Sequence, residues 1–549
     1  MATTAALILL NALLTFENIW PTPAIRWTSA LSIELAAGVL LLSVAHRRAR
    51  ALARRVLAPL WVVLVAGHYL DVTAPGLYGR EFNLYWDSRH LGNGAAMLAR
   101  AAPWWLVAAA AAGAAVMVAV VYGLARFAFH QVATSVEHRR GRLALASLAA
   151  SVVLLFAGQR LAGLVPGVAF ASPVVPAYAR QVRFALAMMG PAPAAPALGP
   201  SPAFDTGLRG ISGADVLVIF VESYGAVTYQ TPAISAGLAA SRAELEAAVH
   251  QTGRDVVSAY VESPTFGGSS WLAHLSLLSG VEVRDQYAYS SLMASSRETL
   301  VTNFARRGYR TVALMPGMRQ AWPEGAFYGF DAIADREHLA YRGPEFGWWA
   351  VPDQYAFARL DAVERRPRSR APLFVVFPTS TTHAPFGPVP PYQPSWARVL
   401  TEHAFDDAEV ARAMAVSPDL TNLRPSYVRA MAYEYTALAG YLREQADDPV
   451  LVVIGDHQPP AAVSGKGAPW DVPVHVIGGR RHVLDRLREA GFRQGLEPQS
   501  PAIGRMHQLT PLLLDAFDRV PEGRHLDALN GSRVPLTASA SRPPRIGKP

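Results

Sequence analysis

The chain contains no cysteine among its 549 residues. This absence excludes disulfide bonds, cysteine-ligated zinc and thiol nucleophiles together. It does not fix the compartment, because an exported domain of this size can bury enough apolar surface to fold without covalent cross-links. Candidate sites therefore have to be sought among carboxylate, imidazole and hydroxyl groups.

Charged residues are also scarce, at 17% of the chain against 51% hydrophobic residues, and the mean hydropathy is +0.17. These values lie between those of soluble proteins and those of pure membrane proteins, as expected for a membrane bundle joined to a soluble domain. The net charge of +8 comes with arginines that are grouped between apolar segments. This placement favours membrane topology over nucleic-acid binding, and we expect no nucleic-acid partner.

Apolar segments within residues 1–164 predict a transmembrane domain of about five helices. The fourth and fifth segments are long enough to span about 30 Å of hydrocarbon, whereas the first and third are marginal. A cleaved signal peptide is an alternative interpretation of the first segment, although this segment lacks a basic region and an A-x-A-like site before Glu17. The segments span residues 3–16, 29–44, 56–70, 104–124 and 143–164.

Two arginine-rich loops predict the orientation of this bundle. One loop lies between the second and third segments, and the other lies between the fourth and fifth. The positive-inside rule places both loops in the cytoplasm, so that the N-terminus is cytoplasmic and the chain after the fifth segment lies outside. The arginines are Arg47, Arg48, Arg50, Arg54, Arg55, Arg126, Arg139, Arg140 and Arg142.

The composition of the chain changes after the fifth apolar segment. Residues 165–213 are rich in proline and alanine and are predicted to form a juxtamembrane linker with a helix around residues 178–189. In residues 214–527, short β-branched runs alternate with helical stretches, which predicts an α/β domain with a largely parallel central sheet. The polar, proline-rich residues 528–549 are predicted to be disordered. The predicted strands span residues 215–221, 309–316, 372–378, 449–456 and 472–479.

Polar residues with metal-binding or proton-transfer chemistry follow three of these strands. Glu222 comes directly after the first, His383 comes a few residues after the third, and the pair Asp456 and His457 follows the fourth. Ligands of open α/β sheets bind beyond the carboxyl ends of the strands, although such residues also serve as caps or in surface loops. Carboxylates and imidazole together indicate a divalent metal, which lowers the pKa of a bound hydroxyl and neutralises phosphoryl oxygens.

A candidate nucleophile lies in the stretch SPTFGGSSWLAHLSLLSG. Pro264 and the pair Gly267 and Gly268 interrupt the chain, and apolar residues then recur at helical spacing. This pattern places Ser269 and Ser270 at the start of a helix. Serine is a favoured N-cap, so capping is the simpler interpretation, but a helix N-terminus also attracts a phosphate.

Taken in order, the motifs VIFVESYG, FGGSSWLAHLSLLSG, FPTSTTHAPF and VVIGDHQPP resemble the sulfatase-like branch of the alkaline phosphatase superfamily. The membrane members with five N-terminal helices are most similar: lipoteichoic acid synthases, phosphoglycerol transferases and phosphoethanolamine transferases. The ordered set of four motifs is specific, whereas each motif alone is not. The resemblance implies an alkaline-phosphatase-like fold for the catalytic domain.

The family pattern also implies roles for individual residues. Glu222, Asp456 and His457 match the ligands of one divalent ion, Mn, Zn or Mg. The nucleophile follows the glycine in the pattern, which matches Ser269, whose hydroxyl is then both the nucleophile and a fourth metal ligand. His383 matches a histidine that contacts the phosphate and is suited to proton transfer.

Substrate-binding residues are also implied, with departures from the pattern. Trp322 resembles an aromatic residue that lines the head-group pocket, and Ser270 is a neighbouring alternative to the nucleophile. Glu324 stands where phosphoglycerol enzymes have an arginine, for which Arg319 is the candidate substitute. The usual nucleophile of these transferases is threonine, and phosphoethanolamine transferases typically have disulfides. The sequence SSWLAH lacks the proline and arginine that sulfatases need, which argues against sulfate ester hydrolysis.

The resemblance implies transfer of a phospholipid head group, phosphoglycerol first and phosphoethanolamine second, through a phosphoserine intermediate. The donor is a phospholipid of the bilayer and the acceptor is a glycan or another hydroxyl compound. The expected location is the bacterial inner membrane, with the catalytic domain periplasmic or extracellular. A hydrolase that uses the same residues and a membrane scaffold with an inactive domain remain as alternatives.

Overall fold

The computed structural model describes most of the chain up to residue 520. The tail predicted to be disordered, residues 528–549, lies outside the described residues, and so does part of the predicted linker. The described residues are 1–520 except for 21, 79–80, 89–91, 93–94, 97–98, 100–102, 163–169, 190–197, 320–321, 348, 350 and 368.

The N-terminal part consists of apolar helices and a short antiparallel hairpin, and the predicted linker helix is present. The elements are α1 (Ala2–Ala12), β1 (Glu17–Asn18), β2 (Ile25–Arg26), α2 (Ile33–Val44), α3 (Arg47–Tyr78), α4 (Leu84–Asp87), α5 (Trp104–Glu137), α6 (Arg139–Ala162) and α7 (Val174–Met189).

Within the described residues, three of these helices, α3, α5 and α6, are long and apolar enough to cross a membrane, and α1 and α2 are shorter apolar helices. The helices pack on one another through a small apolar core in which the rings of Trp61 and Phe129 meet edge to face at 5.2 Å. Other large apolar side chains of α5, such as Val116 and Met117, are exposed. Apolar side chains on the outside of a bundle are expected where lipid replaces water as the solvent.

The part of the chain after α7 contains one eight-stranded sheet, whose strands are numbered β3 to β10 along the chain with the ranges given below. Across the sheet they lie in the order β10-β4-β9-β8-β3-β7-β5-β6. The pairs β3-β7, β3-β8, β5-β7 and β5-β6 are parallel, whereas β8-β9, β4-β9 and β4-β10 are antiparallel. The predicted fold class, an apolar helical bundle followed by an α/β domain with a largely parallel sheet, is confirmed. The strands are β3 (Val216–Val221), β4 (Asp255–Glu262), β5 (Arg310–Met315), β6 (Ala332–Asp335), β7 (Leu373–Pro378), β8 (Val450–Gly455), β9 (Asp471–Gly478) and β10 (Arg493–Gln494).

Helices cover both faces of this sheet. Side chains of β3 alternate between the faces, so that Val218 and Phe220 enter one apolar core while Leu217 and Ile219 enter the other. A strand buried on both faces reads as a continuous apolar run, which explains why VLVIFV is recognisable. The helices are α8 (Val227–Gln230), α9 (Pro232–Gln251), α10 (Ser270–Ser279), α11 (Gln286–Met293), α12 (Leu300–Arg306), α13 (Arg336–Leu339), α14 (Asp353–Leu360), α15 (Trp396–Val399), α16 (Asp407–Ala415), α17 (Arg424–Glu444), α18 (Ala461–Ser464), α19 (Arg481–Glu489) and α20 (Leu509–Asp518).

All five predicted strands are present, but the sequence analysis missed β4, β6 and β10. The strand β4 mixes Asp255, Ser258 and Glu262 with apolar residues, so it lacks the uninterrupted apolar run of its neighbours. Strands β6 and β10 contain four and two residues, which is too short for a periodic signal. The domain boundaries at residues 164, 213 and 527 stay a prediction.

Asp215, directly before β3, ties together the starts of the three central strands. Its carboxylate accepts hydrogen bonds from the Leu373 amide at 2.9 Å and from the guanidinium groups of Arg365 and Arg370 at 2.6 to 2.9 Å. Its backbone carbonyl accepts from the Val450 amide at 2.9 Å. Burial opposes ionisation of Asp215, but the hydrogen bonds from Arg370 and Arg365 outweigh it and lower the pKa of the carboxyl group.

Replacement of Asp215 by alanine is expected to lower the free energy of unfolding by about 3 kcal/mol, because it removes the buried carboxylate that Arg365 and Arg370 share. Since the folded-state pKa is lowered, this contribution is complete above the ordinary pKa of about 4 and is lost as the pH falls below it. The measurement is denaturant unfolding of the full chain in detergent, followed by tryptophan fluorescence. The control is Asp485→Ala on α19, whose exposed pair with Arg488 is expected to contribute less than about 1 kcal/mol; equal losses would contradict the prediction.

Candidate active site

Three neighbouring parallel strands deliver the predicted site residues to one edge of the sheet. The strands are β8, β3 and β7, and their carboxyl ends lie side by side. Glu222 follows β3, Asp456 and His457 follow β8, and His383 lies in the loop after β7. The topology therefore brings together residues that are far apart in the sequence.

Glu222, Asp456 and His457, hereafter the triad, are buried, and one ligand atom from each lies within 4.8 Å of the others. The Nε2 atom of His457 is 3.4 Å from Oε1 of Glu222 and 3.6 Å from Oδ2 of Asp456. This buried group of two carboxylates and one imidazole is able to bind a metal ion, as predicted.

Hydrogen bonds leave the triad with lone pairs that face one another. The backbone amides of Ser223 and His457 both donate to Oδ1 of Asp456, at 2.8 and 2.7 Å. Nδ1 of His457 donates to the Gln458 carbonyl at 2.8 Å, so that Nε2 carries the lone pair in the neutral ring. Oδ2 of Asp456 is buried and has no hydrogen-bond partner within the described part of the chain. A buried unpaired acceptor beside an imidazole lone pair fits a cation.

The electrostatics of the triad also fit a cation. Burial, followed by repulsion from Glu222, raises the pKa of Asp456 to about 7. Burial opposes the charged form of His457, but the two carboxylates outweigh it and raise the pKa of the imidazole. A divalent cation favours the ionised carboxylate of Asp456, so metal binding is expected to release protons.

The structure places Ser270, rather than Ser269, at the triad. Oγ of Ser270 donates to Oε2 of Glu222 at 2.9 Å and lies 3.1 Å from Nε2 of His457. No side-chain hydrogen bond is found for Ser269 within the described residues, and Ser269 is the N-cap of α10 without capping the helix. The selection of Ser269 as nucleophile and fourth metal ligand stays a prediction, and the geometry adds that the Ser270 hydroxyl contacts two residues of the triad.

The backbone conformation explains why Ser270, and not Ser269, contacts the triad. Gly267, Gly268 and Ser269 have φ values of 65°, 146° and 64°, all in a region that favours glycine. The chain reverses through these three residues, and Ser270 becomes the first residue of α10. A left-handed conformation at a serine is uncommon, and such strain is often found at functional sites.

A cavity of about 330 Å³ opens onto the triad. Glu222, Ser269, Ser270, Trp322 and His383 line it. Trp322 therefore lies where the resemblance implies a head-group pocket. Arg319 is not among the described lining residues, since it faces a neighbouring surface cavity beside Arg336 and Arg342.

His383 is held as a neutral imidazole in this cavity. Its Nδ1 atom donates to the Ala384 carbonyl at 2.8 Å, so Nε2 carries the lone pair. Its ring lies 4.4 Å from that of Trp349. Burial lowers the pKa of His383 to about 4. The loop that carries His383 is fixed by Asp353, whose buried carboxylate accepts from the amides of Ser380 and Thr381.

His274 is a lining residue that the sequence analysis missed. It follows Ser270 by four positions on α10, which places both side chains on the same helix face. Nε2 of His274 is buried without a hydrogen-bond partner in the described residues, and burial lowers the pKa of the ring to about 4. The spacing S-x-x-x-H in the sequence could have indicated that His274 lies beside Ser270. This spacing is too common to identify a site residue unless the position of the triad is already known.

Residues 274–475 match the family model for sulfatases. The matched segment includes His383, Asp456 and His457 and begins just after Ser270. This match confirms the predicted resemblance of the catalytic domain to the sulfatase-like enzymes. No curated protein matches the chain at a significant level.

Several solved structures are similar to this chain. The lipoteichoic acid synthase LtaP from Listeria monocytogenes is 13% identical, with 51% of this chain and 68% of that chain covered and a TM-score of 0.32. The Streptococcus pyogenes phosphoglycerol transferase GacH is 12% identical, with 60% and 82% covered and a TM-score of 0.35. The lipooligosaccharide phosphoethanolamine transferase EptA from Neisseria meningitidis is 12% identical, with 88% and 87% covered and a TM-score of 0.47.

Replacement of Asp456 by asparagine is expected to abolish metal binding, because it removes the unpaired carboxylate oxygen and one negative charge. Elemental analysis of the purified full chain and the shift of its melting temperature on addition of Mn, Zn or Mg measure the effect. The control is Asp471→Asn, which changes a half-buried carboxyl group outside the triad. Stoichiometric metal in the Asp456 variant, or its loss in the Asp471 variant, would contradict this assignment.

Proposed function

Because the chain carries a sulfatase-family segment, we propose that it is a metal-dependent phosphotransferase that moves a phospholipid head group through a phosphoserine intermediate. The observation that carries the proposal is the Ser270 hydroxyl, which lies within hydrogen-bond distance of both Glu222 and His457 at the floor of a cavity. A hydroxyl beside a buried group of metal ligands is the arrangement of an activated nucleophile.

In the first step, Oγ of Ser270 forms a bond to phosphorus of the donor phosphodiester. The bond from phosphorus to the diacylglycerol oxygen breaks, and this oxygen leaves with the proton that Ser270 gives up by way of Glu222. Glu222 Oε2, which accepts the Ser270 hydrogen bond, is placed to receive the proton of the nucleophile. The amide groups at the start of α10 face the phosphoryl oxygens and favour their negative charge.

In the second step, an acceptor hydroxyl attacks the same phosphorus and releases Ser270. Nε2 of His383 carries the lone pair that takes the proton of this hydroxyl. Glu222, Asp456, His457 and Ser270 would hold one divalent ion, and their oxygen and nitrogen donors suit Mn, Zn or Mg. When bound, such an ion stabilises charge on the phosphoryl oxygens and lowers the pKa of the serine hydroxyl.

The membrane part supports a lipid donor. Helix α18 lies a few residues after the triad residue His457 and packs against the membrane helix α3. A phospholipid of the bilayer can then reach the cavity without leaving its leaflet. We place the catalytic domain outside the cytoplasm of a bacterial inner membrane, from the arginine-rich loops, and propose a glycan as the acceptor.

The hydrolase alternative differs only in the molecule that attacks the phosphoserine. Water would replace the acceptor, and every residue named above would keep its role. Analysis of the products with and without a glycan acceptor separates the two functions. Free head-group phosphate that forms at the same rate with and without the acceptor would overturn the transferase assignment.

Ser270→Ala is expected to abolish the covalent adduct, and Ser269→Ala is expected to retain it, because of these two serines Ser270 is the one whose hydroxyl contacts Glu222 and His457. Intact-mass spectrometry of the full chain after incubation with metal and mixed phospholipids measures the adduct and identifies the head group. Ser270→Thr keeps a hydroxyl at this position and is expected to retain labelling. An adduct on the Ser270→Ala variant would refute the assignment of the nucleophile.

His383→Gln is expected to slow transfer from the phosphoserine by about 10² to 10⁴, the usual range for loss of a general base. Since the pKa of His383 is lowered to about 4, the neutral ring persists as the pH falls from 8 to about 5. The wild-type rate of adduct decay, measured at saturating metal, should therefore stay constant over this range. A loss of rate centred near pH 6.5 would contradict it, and the exposed His338→Gln variant serves as control.

A further inference from the structure

Beyond the triad, six aromatic side chains line the cavity, hereafter the aromatic wall. Met315 and Met318 fill the space beside them. Such a surface offers ring faces and polarisable sulfur atoms, and its polar atoms are the hydroxyls of Tyr289 and Tyr328 and the indole N–H groups. The aromatic wall consists of Trp271, Tyr289, Trp322, Tyr328, Phe330 and Trp349.

The aromatic wall contains no cationic partner for a polar head group. No arginine or lysine is among the described residues that line the cavity, and the only charged side chain there is that of the triad member Glu222. Gln320 and Ala321, just before Trp322, and Trp348 and Ala350, on either side of Trp349, are all uncharged residue types. A head group that needs a positively charged partner therefore has none among the described residues that line the cavity.

A negatively charged residue, Glu324, stands two positions after Trp322 of the aromatic wall. Burial raises the pKa of Tyr289, and the carboxylate of the exposed Glu324 raises it further. Glu324 is therefore near enough to Tyr289 for its charge to be felt at the wall. A carboxylate at this place attracts a cationic head group more strongly than a neutral one.

The rings of the aromatic wall are held in place before a ligand binds. The indole of Trp271 donates to Gln286 at 2.7 Å. The ring of the buried Tyr328 lies 5.5 Å from that of Trp322 and 5.7 Å from that of Phe330. Packed rings keep their faces exposed to the cavity at little further cost in entropy, which favours binding.

Three common head groups make different demands on such a site. The glycerol group needs hydrogen-bond partners for two hydroxyls, and a primary ammonium needs acceptors for three strongly hydrated N–H bonds. A trimethylammonium group donates no hydrogen bonds, and its charge is spread over methyl groups that fit against ring faces. Aromatic walls of this composition are used to bind quaternary ammonium ions through cation–π interactions.

Resting on the proposed function, we propose that the aromatic wall binds a trimethylammonium group, so that the group transferred to Ser270 is phosphocholine from a choline phospholipid. The oxygen–phosphorus bond to Ser270 forms, the bond to diacylglycerol breaks, and the diacylglycerol oxygen takes up a proton. The triad engages the phosphate and the aromatic wall selects the remainder of the head group. This assignment differs from the ranking of phosphoglycerol first, which came from resemblance.

Binding tests the aromatic wall separately from catalysis. The full-length Ser270→Ala variant with Mn is titrated in detergent with phosphocholine, phosphoethanolamine or glycerol 1-phosphate, and tryptophan fluorescence is measured. Phosphocholine is expected to bind at least about tenfold more tightly than the other two. Adding Trp322→Leu to this variant is expected to remove most of the preference for phosphocholine. Adding Trp322→Tyr instead is expected to retain the preference, which shows that the domain still folds when residue 322 is changed. Phe327→Leu is the matched control, since Phe327 lies in the same turn but is not among the residues lining the cavity.

Labelling of the wild-type chain tests the donor. Vesicles of phosphatidylcholine are expected to give a phosphocholine adduct on Ser270 faster than vesicles of phosphatidylethanolamine or phosphatidylglycerol, and faster than soluble glycerophosphocholine. Equal or faster labelling from either other lipid, or equal binding of the three phosphates, would overturn the trimethylammonium assignment and leave the proposed function intact. Preferential phosphocholine binding without an adduct from any lipid would support the aromatic wall and overturn the proposed function instead.

Discussion

The close approach of two buried carboxylates, those of Glu222 and Asp456, is the constraint on which the site depends. Burial in a water-poor interior, followed by repulsion from Glu222, raises the pKa of Asp456 to about 7. Two backbone amides satisfy one oxygen of Asp456 and leave the other unpaired. Protons or a divalent cation would relieve this arrangement, and the Ser270 hydroxyl lies within hydrogen-bond distance of Glu222 and His457.

The central sheet holds the backbone of these two carboxylate residues in place. Glu222 and Asp456 are the first residues after neighbouring parallel strands, so their backbone positions are fixed by the ladder and not by a flexible loop. At the opposite end of the same strands, Asp215 binds Arg365 and Arg370 and holds the strand starts in register. The sheet therefore has a satisfied charge cluster at one end and an unsatisfied one at the other, and the unsatisfied end is the candidate active site.

Much of the fold and part of the site follow from the sequence, for identifiable reasons. The strands around VLVIFV and LVVIG are buried on both faces and read as apolar runs, and polar residues at their carboxyl ends mark the triad. The choice between Ser269 and Ser270 depends on three consecutive residues with positive φ, and a sequence pattern does not encode which of two adjacent hydroxyls faces inward. The strand β4 was missed because its polar residues hide the pattern, although it is central to the antiparallel half of the sheet.

The aromatic wall could not be predicted from sequence motifs, whereas the unusual Glu324 could. Its members come from segments between Trp271 and Trp349 that have no common spacing, so only the fold reveals that they share a cavity. Glu324, by contrast, was visible as a departure from the phosphoglycerol pattern, and the structure gives this departure a physical meaning as a negative charge beside Tyr289. In the proposed function, the triad acts on the phosphate and the aromatic wall acts on the rest of the head group. That division leaves the wall free to vary, so that the same site could serve different head groups.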